Sequence, residues 1–338
     1  MAHRKSVSLL ILFAVVAALP LIVRSPYFLH LMIMVGMNSV LAMAFVMLLR
    51  AGLISLGVAA FWGVGAYASA LLVTRLGLSV WLALPASVAV TAIVAFLLGI
   101  ILIRSGGFGF IMLSAIVGMV TVLVFGTFDV FGGHVGLLNL PPPEPVQVPF
   151  LGTIDFVSKG PYYYLMLCLL IVVVVVFSAF YAAWTGRGWR AIDLSPLLAK
   201  SLGIDIFRYR LLAFVVSSAA AGLMGWFYVS YFGSVIPDTF DMFKTFNIQI
   251  YAILGGLASA FLGPVIGTFI MTAIPEFLRI AKEIEPVYTG CLLIALVLFF
   301  PDGLMGLAFF RRSFKNRPSG SARIGERIKG SLKMGKEP

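Results

Sequence analysis

Long runs of apolar residues, separated by short polar segments, extend along most of the chain. A helix needs about 20 residues to cross the roughly 30 Å hydrocarbon core of a bilayer, and most of the runs approach that length. They lack the period-two alternation of a membrane barrel. The pattern therefore predicts an all-α, polytopic integral membrane protein with about ten transmembrane helices. The predicted spans are residues 7–23, 28–49, 53–74, 79–103, 108–127, 161–183, 211–232, 246–258, 263–280 and 287–300.

Two parts of this pattern allow alternatives. The start of the chain has the basic end and apolar centre of a secretory signal peptide, but no clear small-residue cleavage site follows it. We therefore interpret residues 7–23 as the first membrane helix. Residues 246–280 form either one bent helix or two short ones. Because one unbroken helix would overshoot the bilayer, we favour two helices, broken at the glycines and Pro264.

The charged residues predict the orientation of these spans. If the N-terminus is cytosolic, eighteen of the 24 lysines and arginines fall in inside segments. This positive-inside bias favours a cytosolic N-terminus and C-terminus, and hence an even number of spans. It also accounts for the net charge of +11 without nucleic-acid binding. The Gly- and Pro-rich segment 128–160 becomes an irregular external loop, and 184–210 becomes a cytosolic loop.

The basic tail, residues 311–338, follows a predicted membrane domain of residues 1–310. It has little apolar surface to bury and is predicted to be disordered. Its positive charge suits a positive-inside anchor, and it also suits contact with anionic lipid.

Several kinds of chemistry find no candidates in the sequence. There is no phosphate loop of the G-x-x-x-x-G-K-[ST] type, and the two cysteines and three histidines lack metal-ligand spacing. No Ser-His-Asp set is visible. None of the thirteen acidic residues falls in the middle of a predicted span, where a proton-coupled transporter or pump usually places its relay. The chain is therefore not expected to be an enzyme, to bind a metal or to energise transport itself.

Two glycine-broken segments are the candidates for a solute pathway. Gly and Pro inside a membrane indicate either closely packed helices or backbone that lines a cavity. The motif Gly52-Leu53-x-Ser55 resembles Gly256-Leu257-x-Ser259, and Phe61-x-Gly63 resembles Phe261-x-Gly263 if four residues are deleted. This similarity fits an inverted repeat of spans one to five and six to ten, with a broken helix in each half. The candidate pathway residues are Ser55, Gly57, Phe61, Gly65, Tyr67, Gly255, Gly256, Ser259, Gly263 and Pro264.

A short helix is encoded within the cytosolic loop. Ser195 suits the N-cap position and Pro196 the first helical position, and Gly203 suits a left-handed stop. Leu197, Leu198 and Leu202 form an apolar edge. A helix of about seven residues is not stable alone, so it is expected to dock on another surface.

Four segments resemble the permease subunits of branched-chain amino-acid ABC importers, in particular the M-type membrane subunit of the Liv system. They read GLISLGVAAFWGVGAYASALL, GRGWRAI…AKSLGIDIFRYRLLAFVVSSAAAGLMGWFY, GGLASAFLGPVIGTFI and YTGCLLIALVLFFPDGLMG, and they span about residues 30 to 306 in matching order. The same family includes permeases for urea, short amides and aromatic acids. The resemblance therefore leaves the solute open between these and branched-chain amino acids.

The resemblance implies a multi-pass protein of the bacterial inner membrane with several partners. They are a second homologous permease, two ATP-binding subunits that hold ATP and Mg²⁺, and a periplasmic solute-binding protein. This chain would bind no cofactor, and its 128–160 loop would be periplasmic. A secondary transporter and a membrane subunit without transport function remain alternatives, disfavoured by the missing intramembrane acids and the missing catalytic cluster.

The resemblance also implies that the 184–210 loop is the coupling loop, whose short helix inserts into a cleft of the ATPase. The pattern Ala199–Leu202–Gly203 matches the A-x-x-L-G part of the family's loop. The expected coupling residues are Arg190, Ser195, Pro196, Ala199, Leu202 and Gly203. The sequence departs from the family where acidic residues and alanines are usual, at Leu194, Pro196, Leu198 and Lys200. The alternative is an ordinary interfacial helix that packs on its own permease.

Overall fold

The computed structural model describes residues 25–148, 152–257, 259–277 and Gly290. The chain in these ranges is mainly helical, and its long helices lie within the apolar runs. The α-helices are α1 (Pro26–Arg50), α2 (Val58–Leu76), α3 (Val80–Leu102), α4 (Gly107–Thr127), α5 (Lys159–Ala182), α6 (Trp184–Leu194), α7 (Pro196–Ser201), α8 (Ile206–Phe232), α9 (Met242–Gly255) and α10 (Leu262–Phe277). Short 3₁₀ turns lie at Ile103–Ser105, Asp129–Phe131, Gly133–Val135 and Pro237–Phe240.

Six of the described helices, α1 to α5 and α8, are long and apolar enough to cross a membrane. They correspond to six of the predicted spans, so the prediction of a polytopic helical membrane protein is confirmed. The described part of the region 246–280 contains two helices, as favoured from the sequence, because α9 ends at Gly255 and α10 begins at Leu262. The predicted spans 7–23 and 287–300 and the tail 311–338 lie outside the described residues, apart from Gly290.

The predicted boundaries were wrong at two functionally important places. Residues 53–57 are not helical, because Gly52 adopts a left-handed φ of +72° and α2 begins only at Val58. The helix α8 begins at Ile206 and not at 211, because the Asp205 carboxylate accepts a hydrogen bond from the Arg208 backbone N–H and caps it. The 184–210 loop is therefore shorter than predicted, and α6 occupies its first part.

The external segment 128–160 also contains structure that the sequence did not predict. Two three-residue strands, β1 (Val146–Val148) and β2 (Gly152–Ile154), pair antiparallel with Val146 opposite Ile154. The β-branched residues in these strands favour extended backbone. The all-α description is thus correct for the membrane helices but not for this small hairpin.

The core of the described fold is built around α8 and α1. The helix α8 packs against α1, α2 and α3, and α1 also packs against α5, α9 and α10. By contrast, α3, α4 and α5 present many exposed apolar side chains, including Ile101, Phe108 and Leu123. Such a surface suits lipid or a membrane partner, since water would penalise it.

Small residues allow α2 and α8 to approach closely. Gly65 on α2 lies directly against the backbone of Gly222 on α8, and Gly225 lies against the backbone of Trp62 and Ala66. A side chain at either glycine would overlap the facing helix. Helix association in membranes depends on this kind of close packing, because lipid supplies no hydrophobic drive between helices.

The loops gather at two opposite ends of the described helices. At one end, Arg210 contacts Ala51 and Arg50 contacts Leu257. At the other end, Leu137 pairs with Val235 through backbone hydrogen bonds. We call the end that holds Arg50, Ala51, Arg210 and Leu257 the loop end.

Replacement of Gly65 by Ala should destabilise the protein, because the new methyl group would collide with the Gly222 backbone. We expect a loss of about 1–3 kcal/mol, the usual cost of overpacking a tight contact. Gly107→Ala is a matched control, because nothing lies within 4 Å of a Cβ at that position. Thermal unfolding in detergent should show a lower midpoint for Gly65→Ala only; equal midpoints would contradict the packing assigned to α2 and α8.

Candidate functional site

The first break in the helices, residues 51–57, lies between α1 and α2 and is held by side chains from other helices. The Gln249 side chain donates to the Ser55 carbonyl at 3.0 Å, and the Leu56 N–H donates to the Ser114 hydroxyl at 2.9 Å. The Ala59 N–H, in the first turn of α2, donates to the Thr245 hydroxyl at 3.2 Å. Irregular backbone is tolerated at membrane depth only when such partners satisfy it. Specific hydrogen bonds from other helices therefore stabilise the irregular backbone of the first break.

The second break, residues 256–261, lies between α9 and α10. It begins at Gly256, whose φ is +96°, and the Ser259 hydroxyl accepts a hydrogen bond from the Leu262 N–H at 3.1 Å. Pro264 lies in the first turn of α10, where a missing N–H is tolerated. Gly255, at the end of α9, packs against the backbone of Gly263, so the two helices touch directly.

The two breaks share part of their local geometry. In each, a glycine with positive φ is followed by Leu, one further residue and Ser, and a helix begins three residues after the serine. The phenylalanine pair is not equivalent. Phe61 lies inside α2, and its ring centre is 5.2 Å from that of Phe214. Phe261 precedes α10, and its ring centre is 5.8 Å from that of Tyr181. The four residues that must be deleted to align the two segments account for the different positions of Phe61 and Phe261. The inverted repeat stays a prediction.

The predicted pathway residues between positions 55 and 67 fall into two groups. Ser55 and Gly57 lie in the first break and Phe61 in the first turns of α2, and Ser55 and Phe61 line a cavity of only about 10 Å³, enough for about one water molecule. Gly65 and Tyr67 lie further along α2. Gly65 packs on α8, and the centre of the Tyr67 ring lies 4.1 Å from that of Phe125, with the two rings tilted. The role of these residues in a pathway stays a prediction.

The loop helix α7 has the stop and start signals expected from the sequence. The Ser195 hydroxyl accepts a hydrogen bond from the Leu198 N–H at 3.4 Å, Pro196 is the first helical residue, and Gly203 has a φ of +80°. Ala199 is 1% exposed and faces the rest of the protein. The loop leucines point away from it and are exposed to 87% at Leu194, 76% at Leu197, 65% at Leu198 and 77% at Leu202. We call these four residues the leucine patch.

The preceding helix α6 fixes α7 to the core. Trp189 is fully buried, and its indole N–H donates to the Tyr209 carbonyl at 2.8 Å. Gly188 lies directly against the Tyr209 ring, which leaves no room for a side chain. Arg190 is exposed on the same helix. The structure therefore presents Arg190 and the leucine patch together on the surface of the loop end.

The described residues contain no group of three or more His, Cys, Asp or Glu side chains that could hold a metal ion. The features that stand out are the two helix breaks and the exposed leucine patch. In the described residues, the site therefore consists of packing and backbone geometry.

Six helices long and apolar enough to span a membrane, two helix breaks and an exposed loop helix describe a polytopic membrane protein. Residues 27–301 match the family model described as branched-chain amino acid transport system / permease component, and the chain belongs to this family. Its members are membrane subunits of transporters and not enzymes.

Two curated relatives carry the same name, high-affinity branched-chain amino acid transport system permease protein LivM. The protein of Salmonella typhimurium is 25% identical over 294 residues, which cover 82% of this chain and 67% of the relative. The protein of Escherichia coli K12 is 25% identical over 305 residues, which cover 85% and 70%. No solved structure was found to match the chain.

Sequence reasoning missed the side chains that hold the breaks. Ser114 is a single polar residue in an apolar segment, and Thr245 and Gln249 share the start of α9 with Lys244 and Asn247. Arg50 and Arg210 were counted only as inside charges. A polar residue within an apolar helix was the available signal, because such a residue must find a partner. The identity of that partner was not encoded locally.

Thr245→Val should destabilise the first break, because it leaves the Ala59 N–H without its acceptor. The expected loss is about 1–3 kcal/mol, the penalty for an unsatisfied buried donor. Thr74→Val is the matched control. The Thr74 hydroxyl donates to the Ala70 carbonyl one turn earlier in the same helix, so its loss leaves no backbone N–H without an acceptor. If thermal unfolding in detergent shows equal losses for the two variants, the bond to Thr245 does not support the break.

Proposed function

We propose that this chain is the membrane-spanning permease subunit of an ATP-driven, binding-protein-dependent importer for branched-chain or related amino acids. Membership of the permease family supports the transport role. The names of the two relatives support branched-chain amino acids as the solute class. The absence of a phosphate loop in the sequence supports an energy source in another subunit.

The leucine patch is the observation that carries the coupling role. Four leucines on a polar loop are exposed to at least 65%. Several exposed large apolar side chains on one short polar segment are typical of an interface with another protein. A helix of six residues also gains little stability by itself, so a docked partner would hold it. The partner would be an ATPase subunit, and α7 would be the coupling helix.

The topology follows from the positive-inside bias. Both termini would be cytosolic, with about ten spans in total, and the loop end would face the ATPases. The external segment 128–160 would face the periplasm of a bacterial cell, where a solute-binding protein would dock. ATP and Mg²⁺ would bind to the ATPase subunits and not to this chain.

The transport step would be alternating access. ATP binding would close two ATPase subunits, and the movement of α7 would reach the membrane helices through α6 and α8. The solute would pass between this chain and a second homologous permease, close to the two breaks. Rigid helices joined by irregular backbone suit such a motion, because the breaks can absorb a change in backbone angles.

Leu198→Glu should weaken the association with the ATPase subunit, because a carboxylate would be buried in place of an apolar side chain. Burial of a leucine side chain in the complex contributes about 1.5–3 kcal/mol, so the affinity for the ATPase subunit should fall about ten- to a hundredfold. The measurement is co-purification of the ATPase from native membranes. Leu138→Glu is the control, because Leu138 is also exposed, at 52%, but lies in the external segment.

Unchanged co-purification with Leu198→Glu would contradict the coupling role of α7. If the wild-type chain recovers no ATPase subunit at all, the importer proposal itself fails.

A further inference from the structure

We propose that Arg210 and Arg50 mechanically link the coupling loop to both helix breaks; we call the pair the two-arginine linkage. The inference rests on the proposed function, because it assumes that α7 moves when the ATPases close. It assigns a positioning role to two residues whose charge alone would mark them as topology signals.

Arg210 joins the loop to the first break. It follows Tyr209, whose carbonyl accepts the Trp189 indole hydrogen bond from α6. The Arg210 Nε donates to the Ala51 carbonyl at 3.3 Å. Ala51 follows the last residue of α1, where carbonyls lack partners within the helix, and a cation is favoured there.

Contacts around Gly52 reinforce this junction. A Cβ at Gly52 would lie 3.1 Å from the Arg210 Nη2 and 3.6 Å from the Ile192 Cγ2 of α6. Ile192 of α6 and the Arg210 guanidinium therefore both lie close to Gly52, which also holds the positive φ of the first break. We expect a displacement of α6 to reach this backbone.

Arg50 joins the first break to the second. Its Nη2 donates to the Leu257 carbonyl at 3.2 Å, across 207 positions of sequence. Its guanidinium lies 5.2 Å from the centre of the Tyr181 ring, a cation–π contact. The same ring packs on Phe261 of the second break and, at 6.1 Å, on Trp189 of α6.

The contacts form one connected chain from the loop to both breaks. From α6, one branch runs through Tyr209 and Arg210 to the first break, and the other through Tyr181 to Arg50 and the second. Arginine suits position 50, because its planar group can donate a hydrogen bond to the Leu257 carbonyl and stack on the Tyr181 ring at the same time. Lysine has the charge but not this geometry.

The test measures whether ATP changes the exposure of the first break. Ser55 is buried at the break, and Ser55→Cys keeps nearly the same shape. In a chain whose Cys168 and Cys291 are replaced by serine, the new thiol is labelled with a membrane-impermeant maleimide. The full complex with its partner permease, ATPases and binding protein is used, with and without ATP. ATP should raise the labelling rate of this parent protein.

In this parent, Arg210→Gln should reduce the ATP-dependent rise about tenfold, the scale of one hydrogen bond from a charged donor. Arg50→Gln should act in the same direction. ATP hydrolysis should stay close to that of the parent, which a general folding defect would not allow. Arg208→Gln is the matched control, because the Arg208 side chain is two residues away and 84% exposed, and its Nε pairs with the neighbouring Asp205 carboxylate at 2.9 Å.

An ATP-dependent rise in Arg210→Gln equal to that of the parent would overturn the linkage. If Arg210→Gln does not reach the membrane, Arg210→Lys is used in its place, because lysine keeps the positive charge that insertion needs. An ATP-dependent rise in Arg210→Lys equal to that of the parent would also overturn the linkage. Failure of the proposed function gives a different result. In that case the parent protein itself shows no response to ATP.

Discussion

Irregular backbone inside a membrane protein must find all its hydrogen bonds within the protein, and the described fold depends on how this is done at the first break. Hydroxyl and amide groups of Ser114, Thr245 and Gln249 reach the break from α4 and α9. Those helices are distant in sequence from α1 and α2. The need to satisfy a few backbone groups therefore decides which helices surround the start of α2.

Glycine has two separate tasks in this structure, and they correspond to the two interpretations of the glycine-rich segments. Gly65 and Gly222 permit close contact between helices, in which any side chain would overlap a facing backbone. Gly52 and Gly256 supply the left-handed conformation that ends α1 and α9. One sequence segment, residues 52–72, contains both tasks, so the composition alone could not separate packing from a helix break.

Local signals in the sequence predicted much of the fold. Apolar runs located the six long described helices, and the cap, proline and glycine at Ser195, Pro196 and Gly203 located α7 correctly. Long-range contacts were not predictable. The bond from Arg210 to Ala51 spans 159 positions, and nothing near either residue encodes it. The early start of α8 was also missed, although Asp205 offered a capping signal.

The departures from the family's loop pattern have a structural explanation. Ala199, which matches the pattern, is buried, and Gly203 holds a backbone angle that other residues rarely adopt. These positions are constrained by the chain itself, while Leu202 adds to the exposed patch. Every departing position is exposed: Leu194, Pro196, Leu198 and Lys200. A surface that this chain does not constrain is free to differ, and it would do so together with the cleft that receives it. If α7 is the coupling helix proposed above, the replacement of acidic residues by leucine and lysine would be matched by a partner cleft that is more apolar and less basic than the family's pattern requires.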